Sequence, residues 1–126
     1  VRRLGLLLGA ALFVSGCAAL LGSRRFTRVA VRGHSMEPVL LDGDWLLVDR
    51  TESVFVQNDI VVARDPRERS RLIVKRVSRS GTDSELWLVS DHAAHFDEVI
   101  GPVARSDVIG RALIRYWPPS RATVID

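Results

Sequence analysis

The chain predicts a mostly β domain preceded by one N-terminal transmembrane helix, and three observations point there. Residues Leu4 to Gly22 carry no charge. After Ser23 the sequence breaks into short runs rich in β-branched residues, with no helical period sustained over a window of about eleven residues. Turn signals separate those runs. With 126 residues, 47% of them hydrophobic, one domain with a real core is the expected scale.

The uncharged N-terminal stretch matches the length of about 20 residues that a helix needs to cross a bilayer. Arg2 and Arg3 precede it and Arg24, Arg25 and Arg28 follow, so charge gives no orientation. Val14-Ser15-Gly16-Cys17 is similar to the lipobox of bacterial lipoproteins, but apolar residues continue through Ala18-Ala19-Leu20-Leu21, which favours a retained anchor. Either way membrane lipid is a partner. The expected division is an anchor over 1–25 and a β domain over 26–126.

Candidate strands follow in order: Phe26 to Arg32, Trp45 to Asp49, Asp59 to Arg64, Leu72 to Val77, Leu86 to Val89 and Val108 to Tyr116. Asp42-Gly43, Asp65-Pro66, Ser80-Gly81 and Gly101-Pro102 punctuate them, and Pro118-Pro119 ends the last. The polar run Asp65 to Arg71 reads as a hairpin loop. Cys17 is the only cysteine, so the β domain has neither a disulfide nor a thiolate metal site. The net charge of +3 comes from scattered arginines, and nucleic acid is not an expected partner.

Two residues carry the chemistry. Gly33 and Pro38 bracket Ser35 in a segment that cannot continue as regular strand, because glycine admits unusual backbone angles and proline lacks an N–H. Such a bend presents the hydroxyl to solvent while backbone N–H groups point at an attacked carbonyl. On a strand, Lys75 shares its face with Ile73 and Val77, so its stem leaves an apolar surface. Burial favours the neutral amine, the form that accepts a proton from serine; the bland alternative is an ammonium reaching out to water. Arg76 points to the opposite face as a structural or ion-pairing residue.

Gly33-His34-Ser35-Met36-Glu37-Pro38, Asp42-Gly43-Asp44, Asn58-Asp59-Ile60-Val61-Val62, Val74-Lys75-Arg76-Val77 and the closing Ile109-Gly110-Arg111-Ala112 together resemble the type I signal peptidases and their small bacterial relatives. The resemblance runs from Val29 to Pro119. It implies a signal-peptidase/LexA-like β fold and a membrane-anchored serine endopeptidase that removes signal peptides or N-terminal extensions. Ser35 then matches the nucleophile and Lys75 the general base, and the Ser35 N–H forms part of the oxyanion hole. His34, Met36 and Pro38 flank the substrate, which lies extended as an added strand. The same resemblance implies a single-pass protein of the cell membrane with an extracytoplasmic catalytic domain, and no cofactor.

Ser90 to Glu98 departs from the family pattern. Asp91 fits, but the segment presents no evident counterpart of the serine that orients the lysine or of the Asp-Arg pair that braces it. That keeps open a catalytically weak or inactive, membrane-tethered peptide-binding protein of the same fold. A LexA-like self-cleaving domain is a further alternative, disfavoured because the apolar span occupies the place of a DNA-binding domain. Asp91, His92, His95 and Asp97 carry metal-ligating groups, but no second cluster accompanies them, and no metal is expected.

Overall fold

The computed structural model describes residues 24–81, 85–92, 94 and 98–125. Residues 1–23 of the proposed anchor, Cys17 among them, and His95 and Asp97 lie outside the described residues, among which no helix is long and apolar enough to cross a membrane.

Among the described residues, eight strands form one antiparallel sheet: β1 (Phe26–Ala30), β2 (Trp45–Asp49), β3 (Ile60–Asp65), β4 (Glu68–Ser80), β5 (Glu85–Val89), β6 (Val99–Ala104), β7 (Val108–Trp117) and β8 (Thr123–Val124). Their order across the sheet is β1-β2-β7-β3-β4-β5-β6, with β8 on β7. β7 therefore sits between β2 and β3 and joins the two halves of the chain. Inward-facing residues form two core clusters. Val31, Met36, Leu40, Leu46, Val48, Ile60, Val62 and Ala112 make one, and Phe55, Val61, Ala63, Ile73, Val77, Leu86, Leu88, Ile100 and Val103 make the other. Val61 and Val62, adjacent on β3, fall in different clusters, because successive strand residues face opposite sides of the sheet.

All six expected strands are present, with three corrections. The polar run after Asp65 is not a loop: Pro66 and Arg67 alone make the turn, and Glu68 to Arg71 already belong to the thirteen-residue β4. The Asp65 carboxylate closes that turn by accepting from the Arg67 backbone N–H at 2.9 Å and its Nε at 3.1 Å. Its charged residues lie on an exposed strand extension, where polarity carries no turn signal. Second, Gly101-Pro102 lies within β6 rather than between strands; β6 is an outer strand of the sheet, and such strands tolerate proline because its missing N–H leaves no ladder bond broken. Third, β8 is too short to leave a periodic signature.

Gly110 marks the tightest backbone approach. A Cβ there would fall on the Asp49 carbonyl oxygen and lie 2.8 Å from its carbon, where β7 crosses beside β2. Backbone cannot rotate aside as a side chain does, so Gly110→Ala is expected to destabilise by about 3 kcal/mol, in the upper range for overpacked sites. Thermal unfolding of the variant checks this; an unchanged midpoint would mean that the two strands can part without cost.

Candidate active site

Ser35 lies in the loop that leaves β1 and returns to β2. Two backbone bonds pin its ends, Val31 N–H to the Asp44 carbonyl and Gly43 N–H to the Val31 carbonyl, both at 2.8 Å. Gly33 turns the chain at φ +83°, a region that costs an L-residue strain, and its N–H donates to the Asp42 carboxylate at 2.7 Å. The loop then coils once, with Leu40 N–H reaching the Met36 carbonyl at 2.9 Å. Met36 and Leu40 sink into the core and fix that coil. Ser35 is left half-buried at its start. Among the described residues its own backbone N–H donates to no group.

Lys75 arrives from β4 on the buried face with Ile73 and Val77, as the strand alternation predicts, and is only 7% exposed. Its Nζ donates to Ser35 Oγ at 2.8 Å and to Ser90 Oγ at 2.9 Å. The amine ends on two hydroxyls rather than in water, so the snorkelling alternative does not hold. Burial is the main cause that lowers its pKa below the ordinary lysine value. Glu98 opposes that shift, Arg67 and Arg71 reinforce it, and Asp65 opposes it.

The departure seen at Ser90 to Glu98 is resolved by three consecutive residues. Ser90 supplies the second hydroxyl to Lys75. Asp91 takes a bidentate pair from Arg76, Nε to Oδ1 and Nη2 to Oδ2, each at 2.7 Å. His92 N–H donates to the Ser35 carbonyl at 2.9 Å. The expectation that the lysine lacks an orienting serine and an Asp-Arg brace is therefore corrected. The missed signal was strand register: β4 and β5 pair Arg76 with Val89 and Val77 with Leu88, and one further step brings Ser90 beside Lys75. The Asp91 carboxylate, the first of the four metal-ligand candidates, is committed to Arg76.

His34 is exposed and pairs through Nδ1 with the Glu37 carboxylate at 2.6 Å. That hydrogen bond raises its pKa, with the Glu37 charge adding to it. His34 lines one groove beside Ser35, while Met36, 1% exposed, lies beneath a second groove on the other side. Pro38 sits on the exposed turn, outside the lining of both.

The second groove, of about 420 Å³, runs between Arg28–Arg32 and Arg71–Lys75 and ends at Ser35. β1 pairs only with β2, and β4 pairs with β5 only from Arg76 onward. Among the described residues, then, β1 has no second strand neighbour, and neither has β4 before Arg76, on the two segments that line the groove. An extended peptide placed there has backbone donors and acceptors within reach.

A small antiparallel β domain that brings serine, lysine and an open-edged groove together is an arrangement compatible with peptidase chemistry. The chain belongs to the Peptidase S24-like family, whose model matches residues 17–113. It is similar to mitochondrial ATP-independent inner membrane protease subunit 1a of Arabidopsis thaliana, at 29% identity over 71% of this chain and 69% of the relative. Mitochondrial inner membrane protease subunit 2 is also similar: the Saccharomyces cerevisiae protein at 27% identity (72% of this chain, 68% of the relative) and the Danio rerio protein at 36% (72% and 64%). The chain spans about two-thirds of the length of each relative.

Proposed function

We propose that the protein is a Ser-Lys endopeptidase that removes N-terminal extensions or signal peptides from precursor proteins presented as extended strands. The 2.8 Å contact between Lys75 Nζ and Ser35 Oγ carries this reading. Neutral Lys75 keeps an N–H on Ser90 and turns its lone pair to the Ser35 hydroxyl. As Oγ attacks the peptide carbonyl, the proton passes to Lys75, and the oxyanion gathers at the Ser35 backbone N–H. Lys75 then returns the proton to the leaving amine. Water, deprotonated by the same amine, hydrolyses the acyl-serine and restores the free hydroxyl. Met36 forms the floor and His34 the rim of the substrate path. The uncharged span within residues 1–25 serves as a single membrane anchor, a reading supported by the inner-membrane relatives, and holds the catalytic domain on the extracytoplasmic side.

The test is direct. Purified full-length protein is mixed with peptides carrying small residues before one bond, quenched in acid and digested for mass spectrometry. Acyl adducts on the peptide containing Ser35, together with the cleaved product, are the expected result. Cleavage without any Ser35 adduct, or no cleavage of any peptide or precursor by folded protein, would overturn the reading.

Ser90 acts as a positioning residue. Ser90→Ala removes one buried hydrogen bond of about 1–1.5 kcal/mol, and a fall in kcat of about tenfold is expected with KM little changed. Losing that acceptor disfavours the ammonium further, so the acid limb of the pH-rate profile moves to lower pH. A merely structural serine would leave the limb in place.

A further inference from the structure

The groove between β1 and β4 carries a charge pattern that a peptidase for purely apolar segments does not require. Its charged lining consists of Arg28, Arg32 and Arg71, with no carboxylate, while Lys75 at its end is the buried amine on Ser35 and Ser90. Several other arginines of this chain meet acids: Arg25 with Asp49, Arg67 with Asp65, Arg69 with Asp107, Arg76 with Asp91 and Arg121 with Asp44. Arg28, Arg32 and Arg71 form no ion pair among the described residues; Arg28 instead lies 6.0 Å from the Trp45 ring centroid. All three are exposed and border the same groove, Arg28 on β1, Arg32 just after its end and Arg71 on β4. Between them the lining is apolar, with Val29, Val31, Leu72 and Ile73.

On the other side of Ser35 the pattern changes. That groove shares Arg32 and Arg71 with the first but adds Asp65, Glu68 and Glu98 together with Arg67, so its charges are mixed. An extended peptide running past Ser35 meets cations alone on one flank and both signs on the other.

We propose that the protein selects extended peptides bearing acidic side chains on the flank that lies between β1 and β4. This rests on the peptidase reading only in placing a peptide there. Carboxylates on alternate residues of an added strand reach the guanidiniums on either rim, while small or apolar residues between them face the apolar lining. The discrimination is one-sided, since carboxylates on the opposite flank meet Glu68 and Glu98 as well as arginines, and Arg67 there is already paired with Asp65.

Binding separates this inference from catalysis. Full-length Ser35→Ala protein in neutral detergent is titrated with peptides of one sequence, labelled with a neutral dye, in which two alternate positions on one flank are Asp, Asn or Lys. A second set carries them on the other flank. Asp on one flank only is expected to bind about tenfold more tightly than Asn, with Lys weakest, and the advantage should shrink as salt rises. Combining Arg28→Glu with Arg71→Glu should reverse the order to favour Lys. Equal affinities in both sets, equal preference on both flanks, or an order unmoved by the charge reversal would overturn the proposal. So would displacement of no acidic peptide alongside tight binding of anionic lipid vesicles, which would assign the guanidiniums to headgroups. Cleavage by the wild-type protein, measured separately, decides the peptidase reading whatever the charge preference proves to be.

Discussion

Lys75→Met is expected to lower peptide cleavage by about 10²–10⁴-fold, the range for loss of a general base, while the protein stays folded. Methionine matches the lysine stem in shape and brings no charge into a site that is 7% exposed. The sign of the linkage supports that separation. Burial lowers the folded-state pKa of Lys75, so the unfolded chain binds its proton more tightly. The resulting penalty on the native state is largest at and below the folded pKa and fades as pH rises towards the ordinary lysine value. Removing the amine removes this penalty, and at neutral pH the variant's melting temperature should hold or rise. Ser35→Ala should lose more, about 10⁴-fold or beyond, because it removes the attacking atom itself. The wild-type rate should climb with pH through the lowered Lys75 pKa and level off below the ordinary lysine value. Folded Lys75→Met protein that cleaves at the wild-type rate would remove the base from the mechanism. A rate that falls as pH rises through that range would contradict a neutral amine as the active form.

Much of the site was legible because it obeys strand alternation. Ile73, Lys75 and Val77 all face inward, so the burial of the lysine follows from period two alone. The bend at Ser35 was legible from Gly33, whose positive φ is one that side-chain-bearing residues avoid. Ser90 was not, because its role depends on pairing between strands: only the β4/β5 register carries it to Lys75 from fifteen positions away. Local patterning misled at the β3–β4 turn for a related reason. Charged residues from Glu68 to Arg71 look like a loop, yet they extend a strand whose outer half is exposed. The arginines along the groove looked scattered in sequence, and they gather only when β1 and β4 line one cleft.

Asp91→Asn is expected to disturb both stability and rate, because residues 90 to 92 hold Lys75, Arg76 and Ser35 at three points. Ser90 reaches Lys75, Asp91 clamps the neighbouring Arg76, and His92 N–H reaches the Ser35 carbonyl. Arg76 and Asp91 are mostly covered, their side chains 21% and 13% exposed, and Arg76 Nη1 also donates to the Asn58 carbonyl at 2.9 Å. Asparagine keeps the shape but removes the charge and turns an amide donor towards a guanidinium N–H. Breaking one side of a fully buried pair costs about 3–5 kcal/mol, and residual solvent access reduces this to about 2–3 kcal/mol. Urea denaturation should register that loss as a lower midpoint. Cleavage should fall as well, since a clamp loosened next to Ser90 loosens the hydroxyl that orients Lys75. The double variant Arg76→Met with Asp91→Leu leaves no unpaired charge and should recover most of the stability. Its rate then separates two roles for the pair. Recovery of the rate with stability would make the pair interchangeable packing between β4 and the segment after β5, whereas a persistent rate deficit would mean that the two 2.7 Å bonds themselves set the position of Ser90.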